Sequence, residues 1–279
     1  MTAIIPLEDN YDDVMKKAMI GKTITVSMLA KVSGIDEDRV RALTRGHKDK
    51  ESLIACAPHI NLSTRALEAL SFDPKVPRIS PPKGLYMINT PFGEEMTVNA
   101  WIIADSAGNA AIFDTGTDAQ PIFDCISKNQ LKPRALFLTH GHRDHVARAT
   151  EICEQFDIES NIAEQSSFSA TRRFAYGDRF QIGTLGIETR KTTGHANDGT
   201  SFIISGLETP IAVVGDALFA CSMGGGIVSY QEALDTNRAQ LFTLPDDTIV
   251  APGHGPLTDI AHERLWNPFF ADNLNKATH

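Results

Sequence analysis

Thr139-His140-Gly141-His142-Arg143-Asp144-His145 sets three histidines and an aspartate within six residues, directly after the apolar run Ala135-Leu136-Phe137-Leu138. An apolar run that ends in such a cluster reads as a buried strand delivering its C-terminal loop to a site. Imidazole and carboxylate are the ligands that borderline divalent metals prefer, and zinc is their commonest occupant. The competing reading is a solvated loop that happens to be rich in histidine. The density of ligand-type side chains argues against it, and partners elsewhere in the chain decide between the two.

At 279 residues the chain exceeds the usual size of one domain, so one large domain, or one domain with an appendage, is expected. Hydrophobic residues make up 42% and charged ones 22%, the ordinary balance of a globular protein. No run approaches the ~18 consecutive apolar residues of a membrane span. Met1 to Asp9 carries neither a basic n-region nor a long apolar core, so no signal peptide is expected and the cytoplasm is the expected compartment. Cys56, Cys125, Cys153 and Cys221 stand apart without a CxxC pair, and read as scattered thiols, not as a disulfide framework. The net charge of −9 argues against nucleic acid or an anionic membrane as the main partner. That charge is uneven. Residues 1–80 hold 12 Lys+Arg against 11 Asp+Glu, so the excess acid lies downstream.

Residues 11–70 read as short helices. Between Thr25 and Leu43, Ala30, Gly34 and Val40 fit a helix–turn–helix: small Ala lets two helices approach, Gly takes the turn, and Val40 and Leu43 close the core. This stretch resembles the small five-helix domains of the repressor type. Asp36-Glu37-Asp38 would begin the second helix, where they cap well but repel phosphate. The module, residues 1–71, is therefore expected to dock or to dimerise, giving a homo-oligomer, in preference to binding DNA. Residues 72–83 follow as a stiff linker; the stretch Phe72 to Gly84 carries four prolines in thirteen positions.

From residue 84 to 279 a second unit is expected. Leu85–Asn89, Thr97–Ala104 and Ala110–Phe113 read as strands, the last ending in Asp114-Thr115-Gly116. Helices are expected near 119–130, 145–156 and 230–243. Further strands are expected within Arg179–Thr193, at Thr200–Ser205, Ile211–Gly215 and Thr248–Ala251. Strands dominate at first and then alternate with helices, which predicts an α/β protein, an αββα sandwich with its site along one edge. Three more strand ends carry a ligand-type residue beside glycine: Thr193-Gly194-His195, Val214-Gly215-Asp216 and Pro252-Gly253-His254. With the dense cluster they supply seven candidates, namely His140, His142, Asp144, His145, His195, Asp216 and His254. Seven exceed the needs of one tetrahedral ion and suit two ions sharing a carboxylate.

In these motifs the chain resembles the metallo-β-lactamase superfamily, and within it the short glyoxalase II-like (hydroxyacylglutathione hydrolase-like) branch. The likeness runs over about residues 84–275. It extends through Gly215-Asp216-Ala217-Leu218-Phe219, Leu244-Pro245-Asp246-Asp247-Thr248, Pro252 to Thr258, and the tail Glu263…Asn267-Pro268-Phe269-Phe270. The resemblance implies that His140, His142 and His195 hold a first metal and that Asp144, His145 and His254 hold a second, with Asp216 bridging. It also implies that Asp144 orients the nucleophilic water and that Asp114 orients a ligand histidine, making both catalytic candidates. Zinc is the expected metal, with iron or manganese as alternatives. Two dications would lower the pKa of a shared water, and the resulting hydroxide would attack an acyl carbon without a serine or cysteine nucleophile. Cys221 therefore reads as a core thiol, and His47, His59, His262 and His279 as surface or capping residues.

The departures concern substrate. Long-form enzymes of the branch add a basic helical domain that binds glutathione, whereas only Arg264 and Lys276 supply positive charge after His254. Ala147-Arg148 stands where small glycines commonly follow the dense motif, and Arg148 is a candidate contact for an anionic substrate. Met223-Gly224-Gly225-Gly226 replaces a Gly-Arg-type segment, and proline is missing before Gly194. The leading expectation is a dinuclear hydrolase of a small-molecule thioester such as an acylglutathione. One alternative is the persulfide dioxygenases of the same branch, with a single iron on the equivalents of His140, His195 and Asp216. β-Lactamase or lactonase activity is a weaker one. A non-enzyme alternative is a DNA-binding regulator with a metal-containing sensor domain.

Overall fold

The computed structural model describes residues 5–93 and 96–272; His279 and Lys276 lie outside them. Five helices come first: α1 (Tyr11–Gly21), α2 (Val26–Ser33), α3 (Glu37–Leu43), α4 (Lys50–Cys56) and α5 (Thr64–Phe72). Their starts follow from capping chemistry. Thr25, Asp36, Asp49 and Ser63 each accept a hydrogen bond from a backbone N–H of the first turn they precede. Gly34 ends α2 in the left-handed conformation that an L side chain disfavours, and the chain turns there into α3.

Two six-stranded sheets follow. The first is ordered β1 (Leu85–Phe92), β2 (Met96–Ala104), β3 (Asn109–Phe113), β4 (Lys132–Phe137), β5 (Ser160–Ala163) and β6 (Arg172–Phe174). Its β1–β3 portion is antiparallel and the rest parallel. The second runs β12 (Thr258–Asp259), β11 (Ile249–Pro252), β10 (Ile211–Gly215), β9 (Thr200–Ser205), β8 (Leu185–Lys191) and β7 (Arg179–Ile182). Among the described residues its β10–β11 pair is parallel and its other pairs are antiparallel.

The buried residues divide into three layers. Trp101, Phe113, Phe137, Ile187, Phe202, Val213 and Ala251 fill the space between the sheets. Phe113, Phe137 and Phe202 form a three-ring nucleus with centroids 5.3 to 5.5 Å apart, each pair worth about 0.5–1.5 kcal/mol beyond its buried area. Helices α6 (Gln120–Lys128), α7 (Arg143–Val146) and α8 (Ala149–Phe156) cover the outer face of the first sheet through Ile122, Val146 and Ile152. The second sheet is covered by α9 (Tyr230–Thr236), α10 (Ile260–Trp266) and the amino-terminal helices together. One buried cluster joins Val14, Met15, Leu29, Leu43 and Leu67 to Val214, Tyr230, Val250 and Phe270. The expected αββα sandwich is present, with the helical stretch packed into its outer layer.

The helix expected near 145–156 is two helices. It breaks at Ala147-Arg148, where the Arg148 backbone leaves helical geometry and its N–H donates to Thr115 Oγ1. No helix among the described residues is long and apolar enough to cross a membrane.

Candidate metal centre

The seven candidate ligands come together along one edge of the sandwich. β4 delivers His140 and His142, α7 carries Asp144 and His145, and the chain past β8, β10 and β11 delivers His195, Asp216 and His254. His142 Nδ1 lies 3.0 Å from His140 Nε2 and 3.1 Å from His195 Nε2. Asp216 sits between the two halves. Its Oδ2 is 3.3 Å from His195 Nε2 and 3.5 Å from His254 Nε2, and its Oδ1 is 3.3 Å from His145 Nε2. Asp144 Oδ2 completes the second half, 3.5 Å from His145 Nε2 and 3.4 Å from His254 Nε2. The ligand atoms of His140, His142 and His195 lie within 4.8 Å of one another, as do those of Asp144, His145 and His254.

The outward nitrogens fix the inward ones. His145 Nδ1 donates to Asp114 Oδ2 at 2.8 Å, His195 Nδ1 to the Gly225 carbonyl at 2.9 Å, and His254 Nδ1 to the Thr97 carbonyl at 2.7 Å. Thr139 Oγ1 gives its proton to Asp114 Oδ2, so it accepts from His140 Nδ1 at 3.0 Å. In each neutral ring, donation from one nitrogen leaves a lone pair on the other. Four lone pairs, His142 Nδ1 and two carboxylates therefore converge on one small volume. His145 Nε2 and Asp216 Oδ1, 3.3 Å apart, are buried and make no well-aligned hydrogen bond among the described residues. Divalent cations match this donor set, because acceptors facing acceptors at about 3 Å repel unless a proton or a metal lies between them.

Burial holds His140 well below and His195 below the ordinary histidine range, which favours the neutral, ligating form. Burial also pushes Asp216 up, but His145 and His254 outweigh it and keep the carboxyl well below its usual range. For His254 burial lowers the pKa, and hydrogen bonds to Asp144 and Asp216 overcome this, raising it to about 10. His145 is likewise raised against burial by Asp216 and Asp114. A dication at these carboxylates would take the place of those protons.

The frame around the cluster is held by hydrogen bonds. Asp114, at φ 57°, accepts from Thr139 N at 2.7 Å as well as from the Thr139 hydroxyl, so it orients both His140 and His145. Asn99 Nδ2 donates to the carbonyls of Pro252 and Gly255, and Trp101 Nε1 to that of Pro252, which pins the His254 loop. Gly253 has to be glycine, because a Cβ there would lie 2.2 Å from Asp216 Oδ1 and 2.7 Å from His145 Cε1.

Sequence reading missed several of these supports. Thr139 heads the histidine motif itself, so its place beside His140 is visible in the sequence. The carbonyls of Thr97 and Gly225 leave no side-chain signal. Arg148 is half exposed, its Nε donating to the Thr117 carbonyl at 2.8 Å and its Nη1 lying 3.6 Å from Glu151. Cys221 is buried, as expected of a core thiol. His262, read as a surface or capping residue, lies half-buried with Nε2 3.5 Å from Cys221 Sγ.

A family model, Metallo-beta-lactamase superfamily, matches residues 93–254. The probable metallo-hydrolase YqgX of Bacillus subtilis is 31% identical over 195 residues, covering 61% of this chain and 91% of that one. The hydroxyacylglutathione hydrolase GloC of Haemophilus influenzae is 30% identical over 196 residues, covering 61% and 92%. Among solved structures, the BLEG-1 B3 metallo-beta-lactamase superposes with a TM-score of 0.59 at 27% identity, over 66% of this chain and 99% of that one. Helices α1 to α5 lie outside the residues that the family model matches.

Proposed function

This chain belongs to the metallo-beta-lactamase superfamily, and from that premise we propose a dinuclear metal-dependent hydrolase of a thioester such as an acylglutathione. One observation carries the metal part: the outer nitrogens of His140, His145, His195 and His254 are all engaged on protein acceptors, so lone pairs and carboxylates face one another inside. His140, His142 and His195 would hold one cation, Asp144, His145 and His254 the other, and Asp216 would touch both. Cations held there supply Lewis acidity and make hydroxide available near neutral pH. Asp144, whose Oδ2 faces His145 Nε2 and His254 Nε2, would orient a water and take its proton. Asp114 keeps His145 and, through Thr139, His140 in the ligating tautomer.

The thioester part is supported by GloC, whose name assigns it hydroxyacylglutathione hydrolysis and most of whose length aligns with this chain. The reading has no nucleic acid partner. Arg39 is paired with Asp49 and Glu51, and Arg41 with Glu37, so the cations of α3 are already matched by carboxylates. The test is S-lactoylglutathione hydrolysis by purified protein whose metal content has been measured. No turnover of this or any related thioester at full metal occupancy would overturn the substrate class. Oxygen uptake with glutathione persulfide, by protein holding one iron per chain, would assign the dioxygenase reaction instead.

A further inference from the structure

We propose that the amino-terminal helix is a working part of the metal centre: Lys17, with Asp9, positions the loop 222–225 that holds His195. This inference rests on the metal reading given above. Lys17 Nζ donates to the Met223 carbonyl at 2.8 Å and forms an ion pair with Asp9. The same oxygen of Asp9, Oδ2, accepts from Ser222 Oγ at 2.5 Å. Lys17 Nζ also stands 5.3 Å from the centroid of the Phe219 ring, which packs edge-on against His254. All these contacts fall on one segment, the chain that leaves Asp216.

That segment lies directly on two candidate ligands. Gly224 N donates to the Asp216 carbonyl at 3.1 Å, and a Cβ at Gly224 would lie 2.0 Å from that carbonyl oxygen and 2.9 Å from His195 Nδ1. The next residue, Gly225, provides the carbonyl that takes the His195 Nδ1 proton. Three successive glycines, Gly224 to Gly226, give the loop little conformational preference of its own, so the groups that grip it set its shape. On one side the grip is Asn267 Nδ2 on the Ser222 carbonyl and Glu263 on Cys221 N. On the other side it is Lys17 and Asp9. Removing the ammonium would leave the Met223 carbonyl only the longer contact from Ser222 Oγ, at 3.5 Å, and Asp9, only 9% exposed in its side chain, without its counter-charge. Lys17 is a positioning residue, acting on the metal through the Gly225 carbonyl and His195. It lies in the stretch that the family model does not match.

The test uses the full chain. K17M is expected to weaken zinc binding, measured by chelator competition, by about tenfold and to alter the visible absorption of the cobalt(II)-loaded protein. K17R, which keeps a charged donor, should recover most of that affinity. V14A trims the buried face of the same helix and keeps the Lys17 and Asp9 side chains; it should lower the melting temperature and leave zinc affinity unchanged. S222A removes only the hydroxyl that ties the loop to Asp9, and should weaken zinc binding to a smaller degree if K17M does not fold. Folded K17M or S222A with zinc affinity and a cobalt spectrum equal to wild type would overturn the proposal and leave the metal reading standing. Equal loss in V14A and K17M would also overturn it, reducing Lys17 to a stability role. Wild-type protein that binds no metal would overturn both.

Discussion

Asp114 Oδ2 accepts from His145 Nδ1 and from Thr139 Oγ1, each at 2.8 Å, so one buried oxygen orders residues on both sides of the dense histidine motif. Its Oδ1 accepts from the Thr139 backbone N–H. An asparagine in its place has one acceptor oxygen for three donors, and its amide N–H groups face donors. D114N is therefore expected to release His145 from the ligating tautomer and to weaken divalent metal binding by about 10–100-fold. Chelator competition on the folded variant checks this; wild-type affinity would show that Asp114 does not orient a ligand.

The two halves of the cluster predict how many ions each variant retains. H195A removes a member of the His140/His142/His195 triad, and H254A a member of the Asp144/His145/His254 triad. Each should keep about one ion per chain, while D216A, which loses the carboxylate facing both halves, should keep less than either. Elemental analysis after gel filtration measures the counts. Equal loss of all metal in H195A and H254A would point to one cooperative site.

Much of this site was legible because its chemistry is concentrated at strand ends. Apolar runs of strand length, each ending in glycine beside histidine or aspartate, mark both the sheet edge and the ligands it presents. The steric reason for one such glycine appears only in three dimensions, where Gly253 passes against Asp216. What stayed hidden shares two physical causes. The carbonyls of Thr97 and Gly225, which fix the tautomers of His254 and His195, are backbone atoms that any residue could offer. The contact between Lys17 and Met223 joins positions 206 residues apart, beyond the reach of any local pattern. Strands β5, β6 and β12, of four, three and two residues, were too short to show a period.

Gly253 gives a steric prediction. A methyl group there would have to displace the Asp216 carboxylate or the His145 ring, neither of which is a free chain end. G253A is expected to cost about 1–3 kcal/mol of stability by overpacking and to lower metal occupancy with it. Urea unfolding of metal-free protein separates the two effects. Unchanged stability and unchanged occupancy would mean that the loop shifts at no cost.

Glu263 predicts a pH dependence away from the metal ligands. It is fully buried, and its carboxylate accepts from Cys221 N, Thr258 Oγ1 and Asn267 Nδ2. Burial nevertheless prevails over these donors and pushes its pKa from 4.5 to about 7. The folded state thus binds a proton that the unfolded chain has released, so the stability this group contributes is complete below about 4.5 and is lost as pH rises through about 7. Glutamine keeps an oxygen for Cys221 and Asn267 and can turn its amide toward the Thr258 hydroxyl, which can accept, while removing the ionisation. E263Q should therefore gain stability relative to wild type as pH rises from about 5 to about 7.5, with the difference level at either end. Urea midpoints of the metal-free proteins across that range measure it. Parallel curves would show that Glu263 keeps an ordinary pKa in the folded protein, its three donors compensating in full for burial.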